Sequence, residues 1–184
     1  MCTVALAPRG GAQAVAGSRE ARASAVVPAL ARPRVPSDRI PSRVVARTGV
    51  HLRVSASRRL AVGAAARLFV APSLDGKLVC LVASSRGGEV ATACSPPATF
   101  TEQAGFVVLI GDTGPGTVPT RVLAAANGRV RALVLAFESS RRQVTPNPDG
   151  GVVYVPGAAA GRLLSISSVD AAGATIATLR VPSG

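Results

Sequence analysis

Apolar residues fall in ten short runs separated by turn chemistry: 50–54, 67–70, 77–83, 89–94, 105–110, 119–124, 129–135, 151–155, 163–169 and 175–181. The runs are four to seven residues long and rich in Val, Ile and Leu, and several alternate apolar with polar positions; each is bounded by Gly, Pro, Asn, Asp or Ser. That pattern predicts strands rather than helices. Asn127-Gly128 is the strongest hairpin signal, because both residues tolerate positive φ, and Asp75-Gly76, Pro148-Asp149-Gly150 and Asp170-Ala171-Ala172-Gly173 mark further turns. Only 98–104 has the look of a helical turn, with Thr99 or Thr101 as caps. The expectation is an all-β single domain, a β-sandwich or a partly open barrel, spanning 47–184.

Residues 1–46 read differently. They are Ala/Arg/Pro/Ser-rich, lack aromatic residues, and carry Pro28, Pro33, Pro36 and Pro41 at spacings that forbid a long helix. A stretch of that composition cannot bury enough apolar area of its own to offset its ordering entropy, so it is expected to form a disordered basic arm.

Charge follows the same division. Residues 1–60 hold eleven arginines against Glu20 and Asp38, and the rest holds ten basic residues against seven acids, so +9 of the net +12 lies in the first third. Arg32, Arg34, Arg39, Arg43, Arg47, Arg53, Arg58 and Arg59 are therefore candidates for nonspecific contact with a polyanion such as nucleic acid. No aromatic side chain lies between them to stack on bases, so sequence-specific recognition is not expected. The competing reading is a solvated leader with no ligand.

Three cysteines are present. Folding 77–83 and 89–94 about Gly87 sets residue 85 opposite 89 and Cys80 opposite Cys94, and directly opposed residues of an antiparallel pair come close enough for a disulfide. Such a bridge closes a loop of about 15 residues, contributes roughly 3 kcal/mol in the chain-entropy model, and implies an oxidising compartment. Two buried free thiols are the alternative. Cys2 is the odd thiol.

The segment 57–62, the run 67–72, Asp75-Gly76 leading into Val79-Cys80-Leu81-Val82, Cys94-Ser95, and the apolar strand, turn and Val-rich strand of 122–135 together resemble uncharacterised extracytoplasmic β-rich proteins with a cysteine pair from high-GC actinobacteria. The likeness extends over about 45–182. It implies a location outside the cytoplasm and brings no activity with it. Members of that group carry an upstream anchoring or signal segment. Here no 18-residue apolar run exists, 5–16 is broken by Pro8, Arg9, Gly10, Gly11 and Gln13, and no recognisable signal peptide is found. Ser57-Arg58-Arg59-Leu60 mimics a twin-arginine signal, but its apolar run ends at Arg67 after seven residues; two strands joined at Gly63 fit better.

Catalytic chemistry is hard to place. Asp112-Thr113-Gly114 follows an apolar strand, as in the active-site turn of aspartic proteases. Gly111 and Pro115-Gly116 break that pattern, and the absence of a second copy would require a homodimer with Asp112 contributed twice. His51 is the sole histidine and reads as an outward-facing strand residue, so neither a nucleophile–His system nor a zinc site can be assembled. No catalytic residue, cofactor or metal is therefore assigned. The favoured reading is a non-catalytic extracytoplasmic module with a binding or structural role, its partner unassigned and its loops 111–119 and 145–151 the places for contact. Polyanion binding by the arm is the second reading, and a dimeric Asp112 enzyme a remote third.

Overall fold

The computed structural model describes Val4–Ala5, 26–63, 66–111 and 119–182. Twelve strands run through it: β1 (Val4–Ala5), β2 (Arg58–Val62), β3 (Arg67–Pro72), β4 (Val79–Ser84), β5 (Val90–Ser95), β6 (Phe106–Gly111), β7 (Arg121–Ala126), β8 (Ala132–Phe137), β9 (Arg141–Val144), β10 (Gly151–Tyr154), β11 (Leu163–Val169) and β12 (Thr175–Arg180). They form three antiparallel four-stranded sheets, ordered β2-β3-β4-β5 (sheet I), β1-β6-β7-β10 (sheet II) and β12-β11-β8-β9 (sheet III). The chain is all-β, with sheets packed as in a sandwich and none closed into a barrel.

Side-chain alternation explains the layering. Val107, Leu109, Leu123 and Ala125 of sheet II pack with Leu68, Val70, Val79 and Leu81 of sheet I. The intervening residues Phe106, Val108, Ile110, Val122 and Ala124 pack instead with Leu133, Leu135, Leu163 and Ile166 of sheet III. Sheet II is thus buried on both faces, which is why β6 and β7 read as continuous apolar runs. Sheet III turns Ser165, Ser167 and Thr178 outward, and its two edges are blunted: β9 carries Arg141 and Arg142, and β12 is bulged at the Ser168/Val169 register shift.

The arm expectation is corrected over its second half. Residues 26–46 are folded, whereas 1–25, apart from β1, lie outside the described residues. The prolines do what was expected locally. Pro28 opens a four-residue helix α1 (Pro28–Ala31), Arg32 before Pro33 and Val35 before Pro36 are extended, and Pro41 precedes a second short helix α2 (Ser42–Val45). What composition could not reveal is that this segment borrows a core. Ile40 and Val44 pack with Leu52 on the outer face of sheet I, against Phe69, Cys80 and Val82. Val26, Val27 and Ala29 are fully buried between sheets I and II.

Two further expectations change. Residues 50–54 do not form a strand: Leu52 makes a single bridge to Ser73, and a 3-10 turn (Val54–Ala56) follows. Asn127-Gly128 does not close a hairpin, because β7 and β8 belong to different sheets. Gly128 has no positive φ, and Asn127 is 5% exposed with its side chain bonded to the Phe100 carbonyl, so the turn is a corner between layers. Strands β1, β2 and β9 were not among the ten runs, although β2, leading to β3 past Gly63, matches the reading of two strands joined there. The turn at Arg86-Gly87-Gly88 is as expected, with Ser84 opposite Val90 and Cys80 opposite Cys94.

Candidate anion-binding groove

Cys80 and Cys94 are disulfide-bonded, with Cα atoms 4.0 Å apart. Beyond the bridge β4 and β5 continue to a turn fixed by three bonds: the Ser85 amide donates to the Glu89 carbonyl (3.0 Å), the Gly88 amide to the Ser85 carbonyl (3.2 Å) and the Glu89 amide to Ser85 Oγ (3.1 Å). Gly88 takes φ +83°, which a side chain would resist.

The turn faces α2. Val44 anchors that helix in the apolar cluster that contains Cys80, and Arg47 Nη1 donates to the Gly88 carbonyl at 2.8 Å. Between the two elements, across the ends of all four strands of sheet I, lies a groove of about 500 Å³. Arg43 and Arg47, one helical turn apart, stand on one wall; Arg67 at the start of β3 and Arg86 in the turn stand on the other; Val62, Ala66 and Val90 lie between. Among the described residues no carboxylate lines the groove. Four arginines from three stretches of chain line one space. Their planar forks suit the paired oxygens of phosphate, sulfate or carboxylate.

Glu89, the acid within the turn, is not among the residues lining the groove. Its Oε2 accepts from Arg121 Nη2 at 3.1 Å.

Of the other arginines singled out, Arg32, Arg53 and Arg58 bond into the fold. Arg32 grips Asp38 with both terminal nitrogens (2.8 Å each) and reaches Asp149 Oδ1 with Nε at 2.9 Å. Asp38 is fully buried and also accepts from the Val35 and Arg59 amides at 2.8 and 2.9 Å. The Arg32 guanidinium, with those amides, holds the Asp38 carboxyl well below the usual carboxylate range. Arg58 donates to the Arg32 and Ser57 carbonyls, and its burial lowers its pKa. Arg53 donates to the Leu74 carbonyl. Arg34 and Arg39 are exposed and outside the groove. Of the eight arginines singled out, then, the structure assembles Arg43 and Arg47, and joins them to Arg67 and Arg86, which sequence reading passed over. The one signal available was the i, i+4 spacing of Arg43 and Arg47; α2 ends at Val45, and the turn after it carries Arg47 to the groove.

The remaining candidates separate. Asp112 and most of the 111–119 loop lie outside the described residues. The 145–151 loop is bonded into the fold: Asn147 Oδ1 accepts from the Asp149 and Gly151 amides, Asn147 Nδ2 donates to the Leu60 carbonyl, and Asp149 holds Arg32. His51 is exposed, as expected. Arg58 and Arg59 open β2, whose Leu60 is 2% exposed, so the twin-arginine look-alike is part of a sheet. Among the described residues there is no group of three or more His, Cys, Asp or Glu placed to hold a metal, and no helix long and apolar enough to cross a membrane.

No protein family, curated protein or solved structure matches the chain. The site must be read from its own chemistry.

Proposed function

We propose that the protein is a non-catalytic extracytoplasmic β-sandwich module that binds an anionic ligand bearing several phosphate, sulfate or carboxylate groups through the groove between α2 and the β4–β5 turn. The observation that carries this reading is that Arg43, Arg47, Arg67 and Arg86 line one groove in which, among the described residues, no carboxylate takes part. A volume of about 500 Å³ suits an organic or oligomeric anion, since ligand sites commonly span roughly 300–1,000 Å³. Among the described residues no aromatic side chain lines the space, so stacking on bases is not expected and recognition runs through charge and the aliphatic floor. The disulfide supports a location in an oxidising compartment, where such bonds persist.

The arm reading is thereby narrowed rather than replaced. Its contribution is Arg43 and Arg47, positioned by a folded segment.

The test is fluorescence anisotropy of the full chain with fluorescein-labelled inorganic polyphosphate over a salt series. Saturable binding that weakens steeply with salt, and is lost in Arg67→Glu/Arg86→Glu with circular dichroism unchanged, supports the groove. Binding that survives that double substitution overturns it. Location is tested separately by trapping thiols before lysis of the host: free Cys80 and Cys94 would place the protein in a reducing compartment.

A further inference from the structure

The turn that forms one wall of the groove contains an acid in its midst. Ser85, Arg86, Gly87, Gly88 and Val90 all line the space, and Glu89 does not. Its backbone is fixed by the turn's bonds with Ser85, so only the side-chain direction keeps the carboxylate away. The carboxylate is engaged instead in a 3.1 Å ion pair with Arg121, which is 22% exposed on β7 and is itself outside the groove lining.

Arg121 can reach Glu89 because of the residue facing it. Its cross-strand partner on β6 is Gly111, and a Cβ there would stand 2.8 Å from Arg121 Cγ and 3.0 Å from Nε. Any side chain at 111 would therefore push the arginine off its path across the strand end. Glycine at the last paired position of β6 is thus tied to an arginine on β7 and an acid on sheet I.

We propose that Arg121, seated over Gly111, is a positioning residue that holds the Glu89 carboxylate out of the groove and so sets the groove's affinity for anions. The proposal rests on the anion-groove reading. Without Arg121, Glu89 keeps its backbone place beside Arg86 and within a residue of the Gly88 carbonyl that Arg47 holds. Two of the groove's arginines belong to the same neighbourhood, Arg86 within the turn itself and Arg47 on the Gly88 carbonyl. An internal carboxylate paired there neutralises one guanidinium and competes with every incoming anion.

The experiment uses the full chain with its disulfide formed and labelled inorganic polyphosphate at low ionic strength. Arg121→Ala is expected to weaken binding roughly fivefold or more, as is usual for coupled sites, and Gly111→Ala to act in the same direction. Arg121→Ala/Glu89→Gln is expected to return to wild-type affinity, although it restores no bond to residue 121. A net-charge effect is separated by Arg121→Ala/Glu138→Gln, which neutralises an acid at the far end of β8 and is expected to remain weak. Rescue by neither Gln, or by both equally, overturns the proposal. If Arg67→Glu/Arg86→Glu binds as the wild type does, the groove reading itself has failed, and that result is independent of the Arg121 series.

Discussion

Asp38 offers the sharpest test of how the N-terminal segment is held. Its carboxylate is fully buried and accepts four bonds, two from Arg32 and one each from the Val35 and Arg59 amides, at 2.8 to 2.9 Å. Asp38→Ala strands two backbone donors and a partly buried guanidinium. Removing one partner of a buried pair typically costs about 3–5 kcal/mol. Arg32 is 29% exposed and keeps Asp149, which places the expectation near the low end, about 3 kcal/mol. At roughly 2–4 °C per kcal/mol for a chain of this size, the thermal midpoint should fall by roughly 6–12 °C, and urea denaturation should show a lower midpoint with an unchanged slope. The pH dependence has a definite sign. The folded carboxyl titrates below its ordinary value and the unfolded one near about 3.9, so the unfolded chain takes the proton first. The contribution is complete above the unfolded value and is lost as pH falls toward the lower folded one. Asp38→Asn should therefore flatten the acid limb of the stability curve. A loss under about 1 kcal/mol for Asp38→Ala, with the acid limb unaltered, would refute the clamp.

Other outcomes follow from the same contacts. Deleting residues 1–44 should unfold the domain or lower its midpoint severely, since Val26, Val27, Ala29, Ile40 and Val44 leave the core with them; circular dichroism of the truncated chain decides it. Cys80→Ser should lose roughly 3 kcal/mol in a denaturant titration, and wild type under a dithiol reductant should lose a similar amount. Gly150→Ala should be strongly destabilising in a thermal melt, because φ is +83° and a Cβ would collide with the Ala126 carbonyl while pressing on Pro28 and Val27.

Most strands could be read in the sequence, because branched apolar runs between turn residues need a sheet to bury them. Their assignment to sheets could not. Asn127-Gly128 carries the composition of a hairpin, yet its neighbours Phe106 and Ala126 on one side and Leu133 on the other belong to facing layers, and burying Phe106 and Leu133 against each other outweighs a local pairing preference. β9 was invisible for a related reason. Arg141-Arg142-Gln143 has no apolar alternation to find, since it forms a charged edge held by the ladder to β8 alone.

The N-terminal segment shows where composition misleads. Judged alone, 26–46 has too little apolar area to fold, and that inference is sound for an isolated peptide. It overlooked that sheet I offers an apolar outer face, announced by Phe69 and Val82 on the strand positions opposite to Leu68 and Leu81. A sheet apolar on both sides requires cover, and the prolines cut the segment into short pieces that can follow a curved surface. The same docking accounts for the groove. Arg43 and Arg47 were legible as charges and Arg67 and Arg86 were passed over, but the four line one groove because Val44 seats α2 on the disulfide face of the β4–β5 hairpin. Cover of the sheet and assembly of the arginine-lined groove are thus one packing event. A substitution that unseats α2 without touching an arginine, such as Val44→Ser, should therefore weaken polyphosphate binding and thermal stability together, whereas Arg67→Glu should weaken binding alone.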